Sequence, residues 1–304
     1  MEQLRFEGMP RRLYPCTPSR LRAWLDCPRR YRMVYLDRPS PPKGPPWAHN
    51  SFGATVHNAL AGWWRLPLAE RRPKTAAELV ERGWIAEGYE DGSQAARYLG
   101  RAKAMVERYV ATLDPAVEPV GVERVVATKT ELIAVSGRID RLDDRPAKPG
   151  ADPRESVRSG SPGQDRDLVV VDYKTGRTPP TTQDVRSSLA LALYALAAGR
   201  VLRRRCFKVE LHHLPTAQVL AWEHSEQSLD RQLRRAEDVA DECARADEHF
   251  RSEPASGRGD AVFPPAPGAW CGWCDFRAHC PEGKLAAPAK RPWDGLAIYE
   301  PDPS

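Results

Sequence analysis

Two acids and a lysine stand at the ends of adjoining apolar runs in this chain, and they are its first chemical signal. Asp140 closes Gly137-Arg138-Ile139-Asp140, and Asp172 and Lys174 follow the unbroken apolar run 168–171 in Asp172-Tyr173-Lys174-Thr175-Gly176. Alternation along a strand puts Asp172 and Lys174 on one side, and an antiparallel neighbour could bring Asp140 beside them. Crowded carboxylates are costly to bury without a counter-ion. A divalent metal relieves that cost: Mg²⁺ prefers oxygen ligands, and Mn²⁺ accepts imidazole as well. The combination suits phosphodiester hydrolysis, in which the metal polarises the phosphoryl group and helps make hydroxide from water. Lys174 could hold or deprotonate that water, or stabilise developing negative charge. Asp-x-Lys by itself equally describes a surface turn with a weak ion pair. The preceding apolar strand and the Gly-x-x-Asp on the strand before it favour the site.

A possible imidazole ligand comes earlier. Ser51 can cap a helix running to about Trp64, with Phe52, Val56, Ala59, Leu60 and Trp63 on its buried side. Gly53 and His57 are four apart and share a face of it. Seven cysteines, with no secretory pattern at the start, argue against a disulfide framework. Cys271-x2-Cys274-x5-Cys280 has ligand-like spacing. Its fourth ligand could be His279, but adjacent residues rarely both reach one ion, and Cys27, which ends a helix before a proline, fits better. Thiolate sets of this kind take zinc or an iron–sulfur cluster, and spacing does not separate the two. Cys206 and Cys243 read as buried free thiols.

The elements that would carry these residues follow from hydrophobic period and breakers. Thr17-Pro18-Ser19 opens a short helix that Cys27-Pro28 ends or kinks. Further helices are expected at 75–90 and 94–112. Strands are expected at 120–130 and 132–142, and a central one at 168–171. A helix from about Gln183 to Gly199 and an antiparallel pair at 208–214 and 218–222 come next, then a charged helix at 226–250. The order predicts a mixed α/β core with helical additions. It divides into a basic segment 1–50 with ten Lys or Arg against four Asp or Glu, a core 51–250, and a Pro/Gly linker with a three-cysteine module and tail at 251–304. Within the core, 65–114 is a helical insertion, and 145–166, almost without apolar residues, is a flexible one. No apolar run of 18 residues occurs, so no membrane span and a cytoplasmic location are expected. The excess of basic residues is compatible with nucleic acid but does not identify it.

The chain resembles the RecB-family branch of the PD-(D/E)XK nucleases, which includes AddB-type and CRISPR-associated exonucleases. Gly53-x3-His57, Gly137-x2-Asp140 and Asp172-Tyr173-Lys174-Thr175-Gly176 carry the resemblance. It implies a restriction-endonuclease-like core, metal binding by His57, Asp140 and Asp172, and catalysis by Lys174 together with the two acids. It implies a [4Fe–4S] cluster on Cys27, Cys271, Cys274 and Cys280, closing the terminal segments around the core. Trp270, Trp273 and Phe276 could supply its cover or equally be ordinary core aromatics. The implied activity is Mg²⁺- or Mn²⁺-dependent cleavage of DNA, as an exonuclease on single strands or free ends, in repair or recombination. No Gly-x4-Gly-Lys-Ser/Thr is present, so any helicase would be a separate partner. A non-catalytic DNA-binding or helicase-associated adaptor is the alternative, though it would have no need of Lys174. One position departs: the family's Gln-x3-Tyr has Tyr194 here, but Ala190 stands where the glutamine belongs. Tyr194, Arg29, Arg30 and Tyr31 are candidate substrate contacts.

Overall fold

The computed structural model describes residues 13–147, 166–252 and 259–296. Its centre is a six-stranded mixed sheet built from β1 (Tyr14–Cys16), β2 (Gly121–Lys129), β3 (Ile133–Pro146), β4 (Arg166–Lys174), β5 (Lys208–His213) and β6 (Gln218–Glu223). β3 is the hub. It pairs antiparallel with β2 and β4 and parallel with β1. β4 continues parallel to β5, and β5 turns back antiparallel to β6. A parallel β4–β5 pair needs a crossover. It is supplied by α6 (Thr182–Ser187) and α7 (Leu189–Leu202).

Helices cover both faces, which is why β4 is apolar at successive positions. Val169, Val171 and Tyr173 pack under α3 (Ala48–Trp64), α4 (Pro73–Arg82) and α5 (Gly92–Val110), against Val56, Leu60, Trp63, Val80 and Val106. Leu168 and Val170 pack on the other side against Leu191 and Ala195 of α7. Behind α7 lie α1 (Pro18–Asp26), α2 (Pro28–Tyr35) and the charged α8 (Glu226–Ser252), joined through Leu21, Tyr31, Leu193, Ala236 and Cys243. Tyr31 sits at that junction, bonded to Tyr14, Arg20 and the buried Asp247. The α5 side of the sheet also holds a polar network. Arg141 reaches Tyr109, Tyr173 and Asp143, and Arg145 links Asp143 to Glu210, which meets His212. Buried networks of this kind fix strand positions as well as stability.

Several expectations change in detail. The helix expected from Ser51 starts at Ala48, and Ser51 is buried one turn inside it. The helix expected from Gln183 to Gly199 is two helices. Ser188 leaves helical geometry at ψ 105°, ends α6 and caps α7 by accepting from Leu191 N. Thr181 and Asp184 cap α6 reciprocally. β1 is too short to leave a periodic signature and was not expected. Cys27, as foreseen, ends α1 and starts α2 in extended geometry. The expected insertion at 145–166 lies mostly outside the described residues. Among the described residues, no helix is long and apolar enough to cross a membrane.

Candidate active site

The register of three neighbouring strands lines up three acids. β3 pairs with β4 up to Arg141–Val171, and one further step of that register would set Asp140 opposite Asp172. The β2–β3 register likewise runs through Val122–Arg141 and Arg124–Ile139, which would set Glu123 opposite Asp140. The β3–β4 ladder ends before the first of these pairs, and the β2–β3 ladder skips the second and resumes. Glu123 takes a left-handed φ of 51°, a conformation that costs a non-glycine residue roughly 1–2 kcal/mol. Asp140 turns one oxygen onto the Tyr173 backbone, accepting from its N–H at 2.8 Å. The inward face of β3 also shifts here. Ile139 and Leu142 both join the α7-side core, three positions apart, while Arg141 reaches the α5 side. The strand therefore bends at the acid, as strands do where pairing is interrupted to re-aim a side chain.

α3 brings the imidazole. His57 Nδ1 lies 3.4 Å from Asp140 Oδ2, and its ring stands edge-on to Tyr173 at 5.8 Å between centroids. One ligand atom each from His57, Glu123 and Asp140 lies within 4.8 Å of the others. Asp172 Oδ2 is ion-paired with Lys174 Nζ beside them. Gly53, one turn before His57, keeps α3 close to the loop after Lys174: a Cβ there would come within 3.2 Å of Thr175 Oγ1. The electrostatics mark the crowding. Burial pushes the Asp172 carboxyl up, Lys174 opposes this, and the Asp140 charge adds to it, leaving a net rise. Burial and then the Asp140 charge also raise Glu123. Burial disfavours a charged His57, but the hydrogen bond and charge of Asp140 outweigh it and raise the imidazole pKa. Like charges gathered in a half-buried row destabilise one another unless a cation joins them.

An imidazole and carboxylates from three strands, with a lysine two residues past the last acid, make a donor set that could hold a divalent metal. The sequence profile of the PD-(D/E)XK nuclease superfamily matches residues 15–152 and 160–281. The chain belongs to that superfamily. A search of curated proteins finds no match to it. Among solved structures, it is similar to a candidate exonuclease from Eubacterium rectale at 9% identity, covering 75% of this chain and 82% of that one, with a TM-score of 0.43.

In this PD-(D/E)XK nuclease fold His57 meets Asp140, Lys174 meets Asp172, and Glu123 joins the His57–Asp140 pair. Glu123 was not among the sequence candidates. It sits in an ordinary strand pattern, and nothing in its neighbours signals a left-handed backbone. Tyr194 also faces the acids. Its phenol is pushed up to about 12, by burial first and then by Asp172 and Asp140. Its ring lies so close over Gly137 that any Cβ there would overlap it. The glycine of Gly137-x2-Asp140 is thus the seat of the tyrosine. Gln183 lies on the separate helix α6 and does not replace the glutamine absent at Ala190.

The candidate contacts near the N-terminus do not reach the acids. The Tyr31 phenol is fully buried in its network with Asp247. Arg29 is largely buried against Glu282 at 2.5 Å. Arg30 stands with Arg29 at a different cavity. That cavity, of about 440 Å³, is lined by Cys27, Cys271, Cys274 and Cys280. Trp270, Trp273 and the fully buried Phe276 form part of its wall. His279 turns away to Pro42 O at 3.0 Å. Cys206 and Cys243 are buried in the core, as expected of free thiols.

Proposed function

We propose that this protein is a divalent-metal-dependent deoxyribonuclease acting as an exonuclease on single strands or free ends, in DNA repair or recombination. The row of Glu123, Asp140 and Asp172 across three strands, met by His57 and Lys174, carries the reading. His57, Asp140 and Glu123 would hold Mg²⁺ or Mn²⁺, with Asp172 as the adjoining carboxylate. A bound ion would supply Lewis-acid polarisation of the phosphoryl group and a more acidic water. The protein's own part is positional. The Tyr173 amide holds Asp140 against β4. Lys174, anchored by Asp172, presents a cation that can hold the attacking water or take up charge on the attacked phosphate. Tyr194 offers a phenol beside the acids for a phosphate or base.

We further propose that Cys27, Cys271, Cys274 and Cys280 hold a [4Fe–4S] cluster, in keeping with the resemblance to AddB-type nucleases. Two features support it. All four thiols line one cavity. The donors needed to stabilise thiolates are in place: Gly268 N–H reaches Cys271 Sγ at 3.4 Å, Gly283 N–H reaches Cys280 Sγ at 3.3 Å, and Arg29 reaches Cys280 Sγ at 3.9 Å. A closure joining residues 27 and 271 restricts a very long loop in the unfolded chain, so its role is a structural staple.

Labelled single- and double-stranded DNA, incubated anaerobically with Mg²⁺ or Mn²⁺, tests the reading. Metal-dependent products that vanish with Lys174→Ala are expected. Products unchanged in that variant would refute the site, and no cleavage by either protein would favour a DNA-binding adaptor.

A further inference from the structure

A second cavity, of about 770 Å³, opens beside Lys174, between α3, α5 and the Thr175–Gly176 loop. Its wall has two characters. Phe52 and Tyr98 meet edge-to-face at 6.0 Å, and the Arg101 guanidinium stacks over the Tyr98 ring at 4.9 Å. Tyr98, Arg101, Met105 and Arg108 recur at helical spacing, so one face of α5 presents aromatic, apolar and cationic groups in turn. Among the described residues, Arg101, Arg108 and Lys174 line the cavity and no Asp or Glu does. The acids of the neighbouring site are therefore absent from a space that shares its lysine.

We propose that this cavity binds one unpaired nucleotide of the strand being cut, beside the scissile phosphate, with its base against Phe52, the half-buried aromatic of the cavity wall. The proposal rests on the nuclease reading and specifies its substrate. Lys174 belongs to both places, so a strand whose phosphate sits at the acids can lead its next nucleotide into the cavity. The acid-free, cationic wall suits the phosphate that travels with that nucleotide. The aromatic and apolar wall suits a base face, and such stacking is tolerant of base identity. A base inside a duplex is already stacked and paired, and entering the cavity would require extruding it. The cavity thus selects single strands through packing, with no need to read sequence.

The test is an abasic scan. A labelled single-stranded oligonucleotide carries one abasic site at successive positions, and cleavage is followed with Mn²⁺. In the wild type, one position adjoining the cut should raise KM roughly 5- to 150-fold, the range expected for losing one stacked base. Ala104→Trp, which fills the cavity, should bring the ratio of abasic to intact KM close to one. Arg108→Ala should weaken all the oligonucleotides alike; thermal unfolding checks that both variants fold. Wild-type cleavage with a flat abasic profile would overturn the proposal and leave the nuclease reading standing. Anisotropy of labelled trinucleotides without metal separates the other failure. Position-specific loss of binding without any cleavage would keep the cavity and sink the nuclease reading, and a flat binding profile would sink the cavity.

Discussion

Glu123→Gln separates the cost of the acid row from its use. The Glu123 and Asp140 side chains are only 16% and 15% exposed, and their nearest candidate ligand atoms lie within 4.8 Å. Two unit charges at that distance repel by about 0.9 kcal/mol in a water-like medium and about 3.5 kcal/mol at an effective dielectric constant near 20. Removing the charge also removes the 2.9 Å ion pair with Arg138. That arginine is 69% exposed, so the pair contributes about 0–1 kcal/mol. The difference predicts a metal-free protein more stable by up to about 3.5 kcal/mol, with a correspondingly higher Tm. The measurement belongs near pH ~9, above the ordinary histidine range, so that a protonated His57 does not mask the repulsion. Metal binding should move the other way. Loss of a partner one shell further out already costs about 10- to 100-fold in affinity, so Mn²⁺ affinity by calorimetry should fall at least about tenfold. A lower metal-free Tm would refute the repulsion argument, and an unchanged Mn²⁺ affinity would remove Glu123 from the site.

Other outcomes follow from the same coordinates. Lys174→Ala should slow single-turnover cleavage by about 10²- to 10⁴-fold while its circular dichroism matches the wild type. Gly137→Ala should cost about 1–3 kcal/mol, because its methyl group meets the Tyr194 ring, and adding Tyr194→Ala should recover most of that loss in a double-mutant cycle. Cys27→Ala should lower both iron content and Tm; full iron in that variant would count against the four-thiol closure. Burial alone would raise Glu210, but His212, Lys208 and Arg145 pull it well below its ordinary 4.5. Its stabilising effect is therefore complete above that value and is lost as pH falls through the depressed folded one. Urea titrations below about pH 4.5 should show Glu210→Gln losing stability less steeply than wild type.

The local grammar of the chain was open to reading without coordinates. The apolar run at 168–171, the Gly-x-x-Asp before it and the Asp-x-Lys after it specify strand ends that carry charge, because period and polarity act over a few residues. Thr17-Pro18, Cys27-Pro28 and the cysteine spacing were legible for the same reason. The break at Ser188 was not, since Gln183 to Gly199 keeps a helical pattern across it and only the capping geometry shows the split. Tyr31 looked like part of a basic, aromatic surface, yet Asp247, more than 200 residues away, draws it inside.

What the sequence determined by itself was the chemistry on offer: acids, an imidazole, a lysine and four thiols on elements of recognisable period. Tertiary structure alone decided which of them meet. Strand register set Glu123, Asp140 and Asp172 in one row, and no one-dimensional pattern encodes register between strands separated by a loop. The bend at Asp140, the left-handed Glu123 and the cavity behind Lys174 arise from packing between distant elements, where the cost of crowding like charges is set by space rather than by order along the chain.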